Sequence, residues 1–340
     1  MVWTRQPKDL AITKLKGHAS TAKGVTGRIP SNKPIHFTPL EFFGAAARCS
    51  HLHSVNPALA TPESLMIAAL VEQYVDDAGT DFAILSAAGN FKDFVKSYFV
   101  GTVASGLAYL AMIQDGYHWA DHFENVTGGN PAIKRSPDYV FSGKGTGTAL
   151  LESKGTRSSG LTGFDSTVEA GYLGQVEPHL GHTINGVCAT HGYAIGSWLT
   201  SATKAEMLIH HTQPVTGSGG GNDTDNPSLK VQQHNYATAF QLVQGSQLSK
   251  RIRQGRIESV PSMLRFYWLE RSWLMIPNWM FPPSGKRTSI QKCDGSGLED
   301  QEDSLETHCR SWLLRLMSRS RSQSFPVSLN QISLKIFPSM

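Results

Sequence analysis

The sequence is poor in the features that mark several protein classes. Its four cysteines include no CxxC pair and are too few for a disulfide-dense secreted scaffold. Charged residues make up only 17% of the chain, which excludes a long charged coiled coil. The most apolar window, residues 100–113, is interrupted by glycine and serine and is too short to span a bilayer. These absences favour a globular protein with reduced thiols.

The distribution of charged and apolar residues predicts the cellular compartment of the protein and distinguishes an acidic central region from two basic flanks. Residues 1–17 carry charges without the apolar stretch of a secretory signal, so the sequence predicts a cytoplasmic protein with no membrane segment. Acidic residues exceed basic ones between 35 and 228, whereas both flanks are basic. This pattern suits a centre that binds cations and flanks that contact polyanions.

Three regions are predicted. Residues 1–60 form an N-terminal extension, and residues 61–283 form an α/β domain with its core at about 91–200. Serine and arginine dominate residues 284–340, which show little periodicity and are predicted to be a poorly ordered tail.

The most informative segment is residues 137–155, PDYVFSGKGTGTALLESKG. Two apolar runs flank a glycine-rich turn, which predicts a β-hairpin centred on Gly145. Asp138 then lies opposite Glu152, with the two Cβ atoms about 4.5–5.5 Å apart. Facing like charges destabilise a sheet unless a divalent cation lies between them, and Mg²⁺ prefers carboxylate oxygens. Strand alternation places Lys154 on the same face as Glu152.

Two carboxylates and an ammonium group beside apolar strands can support metal-assisted phosphodiester hydrolysis. A metal ion held by the carboxylates positions a water and offsets the charge that develops on the phosphate, while the lysine assists the nucleophile or the phosphate.

PDYVF followed by LLESKG resembles the PD-(D/E)XK nuclease superfamily, which has the restriction-endonuclease-like fold. The resemblance implies an α/β protein with a mixed central sheet flanked by helices. It implies that Asp138, Glu152 and the Ser153 carbonyl bind Mg²⁺, with Mn²⁺ as the alternative ion. Lys154 would be the catalytic lysine, and Gln175 would be the polar catalytic residue of the following helix.

The resemblance further implies a core of one helix, three strands, one helix and one strand. The chain offers these elements in order: helix 91–114, strands 118–123, 138–142 and 149–154, helix 164–180 and strand 191–199. Superfamily members often present an acidic residue from the first core helix. Here that helix offers Asp93 near its start and Gln114 at its end, and Glu72 lies one helix earlier.

A second set of candidate metal ligands comprises His179, His182, Cys188 and His191. Zinc prefers such nitrogen and thiolate donors in a closed tetrahedron. Isolated HxxH and CxxH pairs are usually incidental, so the sequence favours magnesium and disfavours zinc.

A basic cluster indicates the partner. Lys250, Arg251, Arg253 and Arg256 are suited to contact phosphates without reading sequence. We therefore expect a Mg²⁺-dependent deoxyribonuclease, endo- or exo-acting, that binds DNA. The alternative is a catalytically inactive nucleic-acid or protein-interaction module on the same fold. The sequence leaves the oligomeric state open.

Overall fold

The computed structural model describes residues 3, 6–50, 66–67, 69–143, 147–215, 228–244, 246–255, 264–268 and 271–275. The chain divides into two units, Met1–Glu258 and Ser259–Met340. The predicted tail, residues 284–340, lies outside the described residues.

A seven-stranded sheet forms the centre of the first unit. In order across the sheet, the strands are β2 (Ile35–Phe37), β1 (Lys8–His18), β9 (Glu206–Thr212), β8 (His191–Trp198), β5 (Gly147–Thr156), β4 (Tyr139–Gly143) and β3 (Trp119–His122). Two short strands, β6 (Thr183–Ile184) and β7 (Val187–Cys188), form a separate hairpin. The pairs β1–β9 and β5–β8 are parallel, and the other neighbouring pairs of the large sheet are antiparallel. The sheet is therefore mixed.

Helices cover both faces of this sheet. They include α1 (Pro39–Ser50), α2 (Asp93–Gln114), α3 (Leu161–Gly171), α4 (Leu229–Gln244) and α5 (Ser246–Arg253), and residues 66–67 and 69–74 are also helical. Successive residues of a strand point to opposite faces. Accordingly, Leu151 of β5 joins the apolar cluster that contains residues of α1 and α2, whereas Leu150 joins the cluster that contains residues of α3. The result is a three-layer α/β arrangement.

Helix α2 packs directly on β5, the strand that carries Glu152 and Lys154. A Cβ atom at Gly155 would lie 2.7 Å from the Ala104 Cβ and 2.9 Å from the Val100 carbonyl oxygen. Only glycine leaves room for this close approach of the helix to the strand.

Among the described residues, α2 is the one helix that is long and apolar enough to cross a membrane by length and composition. The core helix of a protein outside the membrane passes the same test, and 44% of the most apolar window of α2 is buried within the structure. Its buried residues include Phe99, Val103 and Leu107, which belong to the large apolar cluster.

The structure confirms a mixed α/β architecture and most of the predicted core elements. The helix predicted at 91–114 is α2, and the predicted strands correspond to β3, β4, β5 and β8. The single helix predicted at 164–180 is wrong beyond Gly171. There α3 gives way to one π-helical turn, Tyr172–Val176, and then to a 3₁₀ turn, Glu177–His179.

Residues before 60 contribute to the central sheet. Strand β1 is hydrogen-bonded to β9 along most of its length, and β2 extends the sheet beyond β1. Helix α1 packs against α2. In the second unit, β10 (Leu264–Trp268) and β11 (Arg271–Met275) form an antiparallel hairpin.

Candidate functional site

The hairpin of β4 and β5 has the predicted register. Tyr139 is paired with Leu151, and Gly143 is paired with Gly147, so the turn is centred on position 145. Continuing this register by one residue places Asp138, which directly precedes β4, opposite Glu152. The prediction of the hairpin and of its centre is confirmed.

Asp138 is held against the backbone of β5. Its Oδ2 accepts a hydrogen bond of 2.8 Å from the Ser153 amide. Burial raises the pKa of Asp138, and the negative charge of Glu124 adds to this effect, whereas the Ser153 hydrogen bond and the charge of Lys154 oppose it. The net effect is a raised pKa, which is typical of a carboxylate that is largely buried.

Glu152 is the most deeply buried acidic residue of this group, with 1% of its surface exposed. Its Oε1 accepts a hydrogen bond from the Lys154 Nζ. Its Oε2 is buried and has no hydrogen-bond partner among the described residues. Burial, and then the charge of Asp138, raise the pKa of Glu152 to about 7. A buried carboxylate oxygen without a donor is costly, and a bound cation would compensate it.

Lys154 and Gln175 complete the cluster. The Lys154 side chain is 29% exposed, and its Nζ lies 3.5 Å from the Gln175 Oε1. The Gln175 Nε2 donates a 3.2 Å hydrogen bond to the carbonyl oxygen of Ser136, two residues before Asp138. Gln175 therefore links the lysine to the segment that presents the first carboxylate.

The end of α3 is shaped to reach this cluster. A Cβ atom at Gly171 would lie 3.2 Å from the Lys154 Cε and 3.4 Å from the Glu152 Cγ, so the glycine brings the helix close to both side chains. The π-helical turn that follows contains Gln175. Such turns are rare and are often found at functional sites.

Ser153 contributes to the cluster through its amide, which donates to Asp138. Its hydroxyl is buried and has no hydrogen-bond partner among the described residues. The role of its carbonyl oxygen as a metal ligand stays a prediction.

The additional acidic neighbour of Asp138 in the structure is not one of the residues considered for this role from the sequence. Asp93 is exposed at the start of α2, and the backbone of Glu72 accepts a hydrogen bond from Trp3. The additional carboxylate whose charge raises the pKa of Asp138 is Glu124, which follows β3. Sequence reasoning missed this neighbour because β3 and β4 become adjacent only in the folded sheet.

The described residues of the predicted basic cluster differ in their exposure. Lys250 and Arg251 are exposed on α5. Arg253 is mostly buried, donates a hydrogen bond of 2.6 Å to the Thr238 hydroxyl and lies 4.0 Å from a carboxylate oxygen of Asp121. Arg256 lies outside the described residues.

The set of zinc ligands considered from the sequence does not converge. Both ring nitrogens of His179 are hydrogen-bonded, to the Asn130 amide and to the Arg135 carbonyl oxygen. In the part of the chain that the structure describes, the only three metal-ligating side chains with converging ligand atoms are His18, Glu169 and His210. No sequence motif indicates this group, because its histidines are 192 residues apart.

Comparison of the chain with family models, with curated proteins and with solved structures gave no match.

The donor set around Asp138 and Glu152 fits a hard divalent cation. It consists of two carboxylates, one of which has an oxygen without a donor, and Mg²⁺ is bound in proteins through one or two carboxylates with water completing its coordination. The adjacent ammonium of Lys154 can offset negative charge on a substrate phosphate.

Proposed function

We propose that this protein is a Mg²⁺-dependent nuclease that hydrolyses phosphodiester bonds in DNA, built on a restriction-endonuclease-like core. The chain order supports the proposal: α2 is followed by β3, β4 and β5, then by α3 and β8. The first three strands are antiparallel neighbours, and β8 lies parallel to β5. DNA as the substrate rests on the family resemblance of the sequence.

One observation carries the proposal. Asp138, Glu152 and Lys154 meet at one end of the β4–β5 hairpin, and a buried oxygen of Glu152 has no donor among the described residues. Asp138 and Glu152 would hold Mg²⁺, or Mn²⁺ in its place. When bound, the ion supplies an activated water and neutralises charge on the scissile phosphate.

The side chains of the chain itself have separate roles. The Lys154 ammonium, held by Glu152 and close to Gln175, offsets charge on the phosphate oxygens. Gln175 is a positioning residue, because it joins Lys154 to the carbonyl oxygen of Ser136. Glu152 must be ionised to bind a cation, and its pKa of about 7 makes that ionisation sensitive to pH in the neutral range.

The test is cleavage of plasmid and end-labelled linear DNA by the full chain with Mg²⁺ or with EDTA. We expect cleavage that EDTA abolishes, and a loss of at least about 100-fold in Asp138→Asn, Glu152→Gln and Lys154→Met. Asp93→Asn is the matched control, because Asp93 is exposed at the start of α2, and it should cleave at the wild-type rate.

Circular dichroism of each variant checks that the fold is kept. Cleavage that persists in folded Asp138→Asn would contradict this centre. Salt-sensitive DNA binding with no EDTA-sensitive hydrolysis by the wild type would instead identify a non-catalytic binding module.

A further inference from the structure

A second polar cluster lies on the α3 face of the sheet. It consists of His18 at the end of β1, His210 in β9 and Glu169 in α3. The ligand atoms of these three side chains all lie within 4.8 Å of one another. Two of the elements are neighbouring parallel strands, and the third crosses above them.

The ring of His210 is oriented by a carboxylate. His210 is fully buried, and its Nε2 lies 3.1 Å from the Asp165 Oδ1. With the proton on Nε2, the Nδ1 of His210 accepts a hydrogen bond of 2.9 Å from the Nε2 of His18, and an ion bound by the two nitrogens would take the place of this shared proton. A carboxylate that holds the far nitrogen of a histidine is the usual arrangement behind a metal-binding imidazole.

The ring of His18 is also held in place. It stacks on Tyr172, with the ring centroids 4.5 Å apart and the planes 18° from parallel. The hydroxyl of Tyr172 is in turn hydrogen-bonded to the Thr212 hydroxyl at 2.8 Å. Both imidazoles are therefore presented in defined orientations before any ligand binds, which reduces the entropic cost of binding.

The spacing of the two nitrogens suits a shared ion. Two nitrogen ligands of a tetrahedral zinc ion are about 3.3 Å apart, given bond lengths of about 2.0–2.1 Å. A separation of 2.9 Å needs only a small outward movement of His18, which is partly exposed.

Glu169 supplies an oxygen ligand, although one of its oxygens is already engaged. Its Oε1 accepts a hydrogen bond of 2.5 Å from the Lys16 Nζ. A carboxylate has two oxygens and about four acceptor positions, so the second oxygen can bind a cation while Lys16 stays in place. The Glu169 side chain is 30% exposed, which leaves the solvent side of the cluster open.

We infer that His18, His210 and Glu169 form a zinc site with an open fourth position. Two imidazole nitrogens and one carboxylate oxygen are typical of zinc, with water or a substrate oxygen as the fourth ligand, and are unlike the all-oxygen sets that bind Mg²⁺. The inference does not depend on the proposed nuclease function, because it uses none of the residues of that centre.

The test is titration of the chelator-treated full chain with ZnCl₂ by calorimetry, together with the visible absorption of Co²⁺ as a substitute ion. We expect a micromolar or tighter site that His18→Gln removes and that Glu169→Gln weakens at least about 10-fold. Glu169 is partly exposed on a helix, so its variant stays informative if His18→Gln fails to fold.

Two controls distinguish this site from other ligands in the chain. His36→Gln alters an exposed histidine that contacts Asp9, and Asp138→Asn alters the proposed nuclease centre. Both should keep the zinc affinity and the Co²⁺ spectrum of the site formed by His18, His210 and Glu169. An unchanged stoichiometry and affinity in folded His18→Gln and Glu169→Gln, or no micromolar zinc binding by the wild type, would overturn the inference.

Discussion

Glu152 on β5 and His210 on β9 are both register partners of Ala194 on the strand between them. Residues paired across a sheet point to the same face, so both side chains lie under α3. Two strand spacings separate them, which is about 10 Å. The two proposed metal centres therefore share one row of the sheet, and Glu152 is not among the residues whose ligand atoms converge at His18, Glu169 and His210.

Glu152 should make the stability of the metal-free protein depend on pH. Its pKa rises from 4.5 to about 7 on folding, chiefly through burial and then through the charge of Asp138. A raised pKa in the folded state favours folding at low pH, and this contribution is lost as the pH rises from about 4.5 to 7. The difference between the pKa values of the unfolded and folded states corresponds to about 3 kcal/mol of unfolding free energy.

We therefore expect Glu152→Gln to be more stable relative to the wild type at pH 8 than at pH 4.5, by about 2–3 kcal/mol. Urea unfolding of both proteins in EDTA measures this difference. Glu206→Gln, at the half-exposed start of β9, is the control and should show a much smaller change. A wild-type–variant difference that does not vary with pH would contradict the assignment of this pKa.

Mg²⁺ should stabilise the folded protein through the same two carboxylates. A ligand that binds only the folded state adds RT ln(1 + L/Kd) to the unfolding free energy at a free ligand concentration L, so the melting temperature rises with the logarithm of the ligand concentration once this exceeds Kd. We expect the increase to be larger at pH 8 than at pH 6, because Glu152 is mostly protonated at the lower pH. Differential scanning fluorimetry with and without MgCl₂ measures this. Asp138→Asn should abolish the increase, and Asp93→Asn should keep it; an equal response in both variants would place the ion elsewhere.

The sequence could predict the hairpin because all the information is local. Gly145 lies at the midpoint of two apolar runs, and a two-residue period places each side chain on a face. The pairing of Tyr139 with Leu151 follows directly. The same local reasoning brings Glu152 and Lys154 together, since they are two residues apart on one strand.

Longer-range features could not be predicted in this way. Strand β1 reaches the sheet through a parallel pairing with β9, and a parallel pairing leaves no turn signal in the sequence. The cluster of His18 and His210 depends on that pairing. The π-helical turn after Gly171 could not be predicted either. The spacing of apolar residues is too coarse to distinguish a turn with one extra residue from a turn of a continuous α-helix.

Asp121 should be important for stability rather than for catalysis. It is 1% exposed, and its carboxylate accepts hydrogen bonds from the His234 Nδ1 at 2.6 Å and from the Asn125 Nδ2 at 2.9 Å. Burial alone would raise the pKa of Asp121, but these hydrogen bonds and the charge of Arg253 bring it below 3.8. A lowered pKa stabilises the fold above about pH 4, and the contribution is lost as the pH falls further.

We expect Asp121→Asn to lose about 3 kcal/mol of unfolding free energy at pH 7, because the buried Arg253 loses its anionic neighbour. At pH 3 the loss should be smaller, because a lowered pKa stabilises the fold above the ordinary carboxyl range and this contribution declines as the pH falls below it. Urea unfolding at the two pH values measures both quantities, with the exposed Asp93→Asn as the control. The same loss at both values would show that the charge of Asp121 is not what stabilises the fold.

A substitution at Gly171 should change the position of Lys154, and so the proposed reaction, while the packing of α3 is kept. Alanine at Gly171 would place its Cβ 3.2 Å from the Lys154 Cε and would push this flexible side chain away from Gln175. Alanine is also a better helix former than glycine, by up to about 1 kcal/mol, so the fold should be kept. We expect cleavage by Gly171→Ala to fall by about 10-fold with a change of less than about 1 kcal/mol in unfolding free energy.

Gly163→Ala is the matched control, because it lies in the same helix and no atom lies within 4 Å of the added Cβ. It should gain stability and cleave at the wild-type rate. Wild-type cleavage by Gly171→Ala would mean that the position of Lys154 beside α3 does not matter for the reaction.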